Sequence, residues 1–177
     1  MSHAIEVARH KDTVYARVVG LGNFNNAGPF REFVDAMIQT GVRTVVVDFA
    51  QCQGLDSTFM GTLIGFMTCP LRQGEDTQEL HESAVQVMVV NQTPATRKAM
   101  DSLGLAALLK IKNEPVAAPG IPLQRLREDW LDEKKRVRLI QQAHEHLVKV
   151  DKANEEKFGP FLKMLLKETP QGPQTGA

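Results

Sequence analysis

The stretch Val45–Met67, VVVDFAQCQGLDSTFMGTLIGFM, decides the fold. It belongs to a β-branched run, Val42–Phe49 (VRTVVVDF), that is apolar on both faces, as a central strand buried under helices is. Gln51–Leu55 predicts a short loop. Ser57–Met67 predicts a helix with Met60, Leu63, Ile64 and Met67 on one face. Asp56-Ser57-Thr58 therefore opens a helix, where unpaired backbone N–H groups and the helix dipole favour an anion. Two readings are open for this triplet. Asp56 or Ser57 serves simply as the N-cap, or Ser57 carries a phosphate that the helix end stabilises.

Outward from this stretch, the pattern stays α/β. Ile5–Arg9 and Thr13–Leu21 predict two strands, with Lys11-Asp12 as the turn. Asn25–Pro29 collects turn and cap residues, and Pro29 suits the first position of a helix. Phe30, Phe33, Val34, Met37 and Ile38 carry the helical spacing that follows, with Gly41 as its stop. Arg72–Ser83 is polar and predicts a surface loop; Ala84–Val90 predicts another buried strand. Thr93 caps and Pro94 opens a third helix, which Gly104 ends, and Leu105–Ile111 predicts a last short strand. The order β-β-α-β-α-β-α-β gives a mixed sheet with helices packed on it.

After the Pro/Gly-rich segment Asn113–Pro122 the chain changes character. Leu123, Leu126, Trp130, Val137, Ile140 and Leu147 fall on a 3-4 repeat that continues through Glu133, His144, Asp151 and Asn154. This predicts one long amphipathic helix, followed by a short one at about Pro160–Lys167. The polar residues in the stripe favour packing on the chain's own domain over a free coiled coil, although self-association through this helix is also open. The expected organisation is a domain over 1–115, a linker over 116–122, a helical extension over 123–168 and an unstructured tail over 169–177.

Composition excludes several classes. Lys+Arg and Asp+Glu both number 21, for a formal net charge of zero, so neither a nucleic-acid-binding face nor a polybasic membrane anchor is expected. The start lacks the apolar core of a secretory signal, and no apolar run reaches membrane length, which predicts a cytoplasmic protein. Cys52 and Cys69 read as reduced thiols. His144-Glu145-His146 is no metal motif, because i and i+2 point to different helix sides; no metal and no cofactor is expected. Gly20-Leu21-Gly22 is too short a glycine pattern for a nucleotide. No Gly-x-Ser-x-Gly elbow surrounds Ser57 and no histidine adjoins it, so no catalytic residue and no enzyme is expected.

The stretch around Ser57 resembles the signature of the STAS domain, the fold of anti-sigma factor antagonists. In that signature a strand ending in Asp leads to Asp-Ser-Ser/Thr-Gly-Leu-Gly at a helix start. Asp48 matches the strand-end acid, Asp56, Ser57 and Thr58 match the phosphoacceptor triplet, and Gly61 matches the second glycine. The resemblance extends over roughly residues 4–112 through Leu103-Gly104-Leu105 and the order of elements. It implies a STAS-like α/β fold and a switch that, unphosphorylated, binds a GHKL-type serine kinase acting as an anti-sigma factor. A PP2C-type phosphatase resets it. Ser57 is then the acceptor, Thr58 a secondary candidate, and Asp56, Asp48 and Asn23 support the site. Two positions depart from the family pattern. Asn23 stands where an acid is frequent, and Phe59 where glycine is usual. Phe59 is either tucked into the core or an interface anchor; its place off the Met60/Ile64/Met67 face favours a partner interface, expected to include Gly61. A STAS-type scaffold in a signalling assembly, without regulated sigma release, is the alternative.

Overall fold

The computed structural model describes residues 3–68, 85–113, 119–127 and 132–168. The loop expected at Arg72–Ser83, Cys69, Trp130, residues 116–118 of the expected linker and the expected tail lie outside these residues.

Strands β1 (Ala4–His10) and β2 (Thr13–Gly22) form an antiparallel hairpin through Lys11-Asp12. β2 then pairs in parallel with β3 (Thr44–Asp48), β3 with β5 (Gln86–Val90), and β5 with β6 (Lys110–Lys112). The helices between these strands make the parallel connections possible. They are α1 (Phe24–Gln39), α2 (Ser57–Met67) and α3 (Pro94–Asp101). The mixed sheet predicted from the sequence is present, in the order β6-β5-β3-β2-β1-β7, where β7 is Gln124–Arg125.

Three stretches before Pro122 differ from the sequence reading. Cys52–Leu55, read as loop, is strand β4 and pairs in parallel with the end of β2. Gly20, at φ +74°, turns β2 from β3 toward this second partner, and the register shifts there. α1 begins before Pro29, because Asn23 and Asn26 form a reciprocal capping box ahead of it. The strand expected over Leu105–Ile111 is shorter: a 3-10 turn (Leu105–Ala107) precedes β6.

The largest difference follows Pro122. Gln124–Arg125 is strand β7, not helix, and covers the free edge of β1, where the Leu126 N–H donates to the Ile5 carbonyl at 2.9 Å. Helix starts only at α4 (Glu133–Val150), where Asp132 caps it, and α5 (Lys152–Glu168) is longer than expected, with Pro160 inside it. α4 packs along α2 and buries Leu139, Ala143, His144 and Leu147. Val137 and Ile140, central to the predicted stripe, are only half-buried. The core joins both parts of the chain: Val45, Val47, Phe30, Phe59, Leu63 and Phe66 share one apolar cluster with Leu139 and Leu147. No helix among the described residues is long and apolar enough to cross a membrane.

Candidate functional site

Asp56 joins the N-termini of two helices. Its Oδ1 accepts the Phe59 N–H at 2.8 Å and caps α2; its Oδ2 accepts the Phe24 N–H at 2.8 Å in the first turn of α1. Its own N–H donates to the Gly22 carbonyl at 2.9 Å. Burial pushes the Asp56 carboxyl above its usual range, against the pull of the two N–H donors. Of the two cap readings, this geometry selects Asp56, which leaves the Ser57 side chain for another partner.

That partner is His144, on α4. Ser57 is half-buried, and its Oγ lies 2.8 Å from His144 Nε2. The His144 Nδ1 lies 2.7 Å from the Ile140 carbonyl oxygen. A carbonyl only accepts, so Nδ1 donates; in the neutral ring Nε2 then accepts from the Ser57 hydroxyl. His144 is only 5% exposed and lies edge-on to Phe158 and Phe161 of α5, with ring centroids 4.8 and 5.1 Å away. One ground for excluding a nucleophile, the want of a histidine, thus falls. Behind the imidazole, however, stands a backbone carbonyl rather than the carboxylate of a triad.

The remaining predicted residues divide. Asn23 caps α1, its Oδ1 accepting the Asn25 N–H at 2.9 Å, and its backbone N–H is bonded by Asn26, so it supports the same corner as Asp56. Asp48 serves the neighbouring loop: Oδ1 accepts from the Ala50 N–H and Asn91 Nδ2, both at 2.9 Å, and Oδ2 lies 3.6 Å from Arg17 Nε. Thr58 is buried, at 5% exposure. Its carbonyl accepts the Thr62 hydroxyl at 2.8 Å.

The assignment of Phe59 and Gly61 to a partner interface is corrected by their surroundings. Phe59 is fully buried and stacks on Phe30, with centroids 5.8 Å apart and planes 10° from parallel. The reason is that α2 lies between the sheet, α1 and α4, so the side away from Met60 and Ile64 is interior too. Gly61 faces the Ala143 backbone of α4.

His144 is the site residue that the sequence reading left aside. Its place on the 3-4 stripe with Ile140 and Leu147 signals an inward side chain; its meeting with Ser57, 87 positions away, has no local signal. Chemically, the site offers a hydroxyl at a helix N-terminus, held under a second helix by one imidazole.

A family model described as STAS domain matches residues 4–118. Comparison with curated proteins finds no match. Solved structures with a similar fold include the anti-sigma factor antagonist SpoIIAA in its unphosphorylated form, 19% identical, with a TM-score of 0.47 over 63% of this chain and 89% of that one. The Bacillus cell fate determinant SpoIIAA in its phosphorylated form is 22% identical, with a TM-score of 0.46 over 62% and 92%. An anti-sigma factor antagonist from Mycobacterium paratuberculosis is 18% identical, with a TM-score of 0.47 over 64% and 87%. The matched span holds β1 through β6, the strand-end Asp48 and the α2 N-terminus with Ser57, and the chain belongs to the STAS domain family.

Proposed function

We propose that this protein is a phosphorylation-controlled interaction switch of the anti-sigma factor antagonist type, with Ser57 as the acceptor. It acts by binding rather than by catalysis, in the cytoplasm. Its partners are a GHKL-type serine kinase that doubles as an anti-sigma factor and a PP2C-type phosphatase that resets it. The observation that carries the reading is the placement of the Ser57 hydroxyl at the first turn of α2, with Asp56 taking the cap, so that the hydroxyl is not spent on its own helix. A phosphate there gains about 0.3–1 kcal/mol from the helix end, so modification is compatible with the fold. To a partner packed over the same point it brings about −1.5 to −2 charges. Truncating or mismatching a desolvated charge in an interface costs about 2–5 kcal/mol, roughly tens- to thousands-fold in affinity.

A second reading is favoured by one observation: the Ser57 hydroxyl is engaged by His144 under α4, as suits a STAS-type scaffold that is not modified. One experiment separates the two. The full chain is incubated with ATP and a GHKL-type kinase encoded beside it, and the site is mapped by peptide mass spectrometry. Phosphate on Ser57, lost in Ser57→Ala, supports the switch. No phosphate, from a kinase active on another substrate, supports the scaffold.

A further inference from the structure

α4 is seated on the face of α2 that carries Ser57, Gly61 and Gly65, residues four apart and so in one row. The row is smooth because two of its members are glycines. A Cβ at Gly61 would lie 2.5 Å from the carbonyl carbon and 2.8 Å from the Cα of Ala143; one at Gly65 would lie 2.8 Å from Cε1 of His146. The α4 backbone therefore approaches α2 as closely as the chain allows, and Arg31 Nη1 of α1 adds a bond to Gln142 Oε1 at 2.6 Å. At the Ser57 end of the row the seat closes on the hydroxyl itself, through His144 Nε2 at 2.8 Å, with Phe158 and Phe161 of α5 around the imidazole.

We propose that α4 and α5 form an intramolecular cover on Ser57, and that seating of the cover and modification of Ser57 oppose each other. This rests on Ser57 being the phosphoacceptor. In the transfer, the Ser57 oxygen bonds to the γ-phosphorus of ATP, the bond from that phosphorus to the ADP oxygen breaks, and the hydroxyl proton passes to buffer. The product oxygen has no hydrogen for His144 Nε2. A phosphoryl group does not fit the 2.8 Å gap between Oγ and Nε2, so α4 must leave the close seat it has at Gly61 and Ala143 to admit one. The imidazole, 5% exposed, loses its donor in place, and a buried polar group without a partner disfavours the state that buries it. Phosphorylation thus loosens the cover. By linkage, any partner that lifts the cover shifts the equilibrium of Ser57 toward the modified form.

Hydrogen exchange on the full chain tests this, with phosphoserine incorporated at position 57 during translation so that no kinase is involved. The expected result is exchange about tenfold or more faster across residues 139–147 of α4 than in the unmodified chain, with residues 44–48 and 86–90 of the sheet unchanged. His144→Ala, unmodified, is expected to speed the same α4 amides. Unchanged or slower exchange in α4 of the phosphoserine chain overturns the proposal, the slower case marking a clamp rather than a release. Equal acceleration in α4 and in the sheet also overturns it, because α4 is then core and not cover. Failure of a kinase to modify Ser57 would sink the switch reading and leave this result standing, so the two failures are distinguishable.

Discussion

Replacing Gly61 with alanine adds one methyl group where α4 crosses α2, and the sign of its effect reports whether α4 is seated there. On an open helix face the change stabilises by about 1 kcal/mol, since glycine is the poorer helix former. In this fold the new Cβ meets backbone: it lies 2.5 Å from the Ala143 carbonyl carbon, against at least 3.4 Å for an ordinary contact. α4 must retreat by about 1 Å, and backbone has no rotamer to turn aside. Such overpacking costs about 1–3 kcal/mol. The same retreat stretches the Ser57–His144 bond from 2.8 Å toward about 3.8 Å, beyond hydrogen-bonding range, for a further loss of about 0.5–1.5 kcal/mol. Set against the propensity gain, Gly61→Ala is expected to destabilise by roughly 0.5–3.5 kcal/mol, read from urea unfolding followed by far-ultraviolet circular dichroism. Gly65→Ala meets the His146 ring instead, a side chain that can rotate, and is expected to cost less. A Gly61→Ala protein about 1 kcal/mol more stable than the parent would refute the packing of α4 on α2, and with it the cover.

Phe59→Ala is expected to lower stability by about 3–5 kcal/mol, the cost of deleting a core phenylalanine. A loss below about 1 kcal/mol in the same unfolding measurement would return Phe59 to the surface. The pH response turns on His146, whose imidazole burial lowers from the usual 6.5; Arg31 and Lys149 act in the same direction, while Glu145 and the Gly61 backbone oppose them. The fold favours the neutral ring. Its contribution is therefore present above pH 6.5 and is lost as pH falls below 6.5 through the depressed folded value. Asp35 and Asp56, both raised from 3.8 by burial, work the other way, contributing stability at low pH that is lost as pH rises through their folded values. The urea midpoint of the parent should fall between about pH 7.5 and about 5.5 more steeply than that of His146→Gln. Equal slopes would remove His146 from the account.

Part of the site was legible in residues that act locally. The cap at Asp56, the helix opening at Ser57 and the capping pair Thr93-Pro94 depend on neighbours within three or four positions, and the chain places each of them as the sequence indicates. The sequence also carried a signal for Phe59 that the choice of a single apolar face obscured. STFMGTLIGFM is apolar nearly all round, the pattern of a helix buried on every side.

What the sequence determined by itself was the succession of strands and helices from Ala4 to Lys112 apart from β4 and the 3-10 turn at Leu105–Ala107, the position of Ser57 at a helix end and the family that both imply. Periodicity and capping are short-range, and they are written in the residues that use them. What only the tertiary structure decided was the role of the chain beyond Pro122. Whether Gln124–Arg125 extends a helix or covers the edge of β1 depends on an unpaired strand more than a hundred positions earlier. Whether the inward face of α4 meets a sheet, another chain or α2 depends on the groove that Gly61 and Gly65 leave open. The Ser57–His144 contact follows from that docking alone, because a hydrogen bond across 87 positions forms only once packing has brought its two partners together.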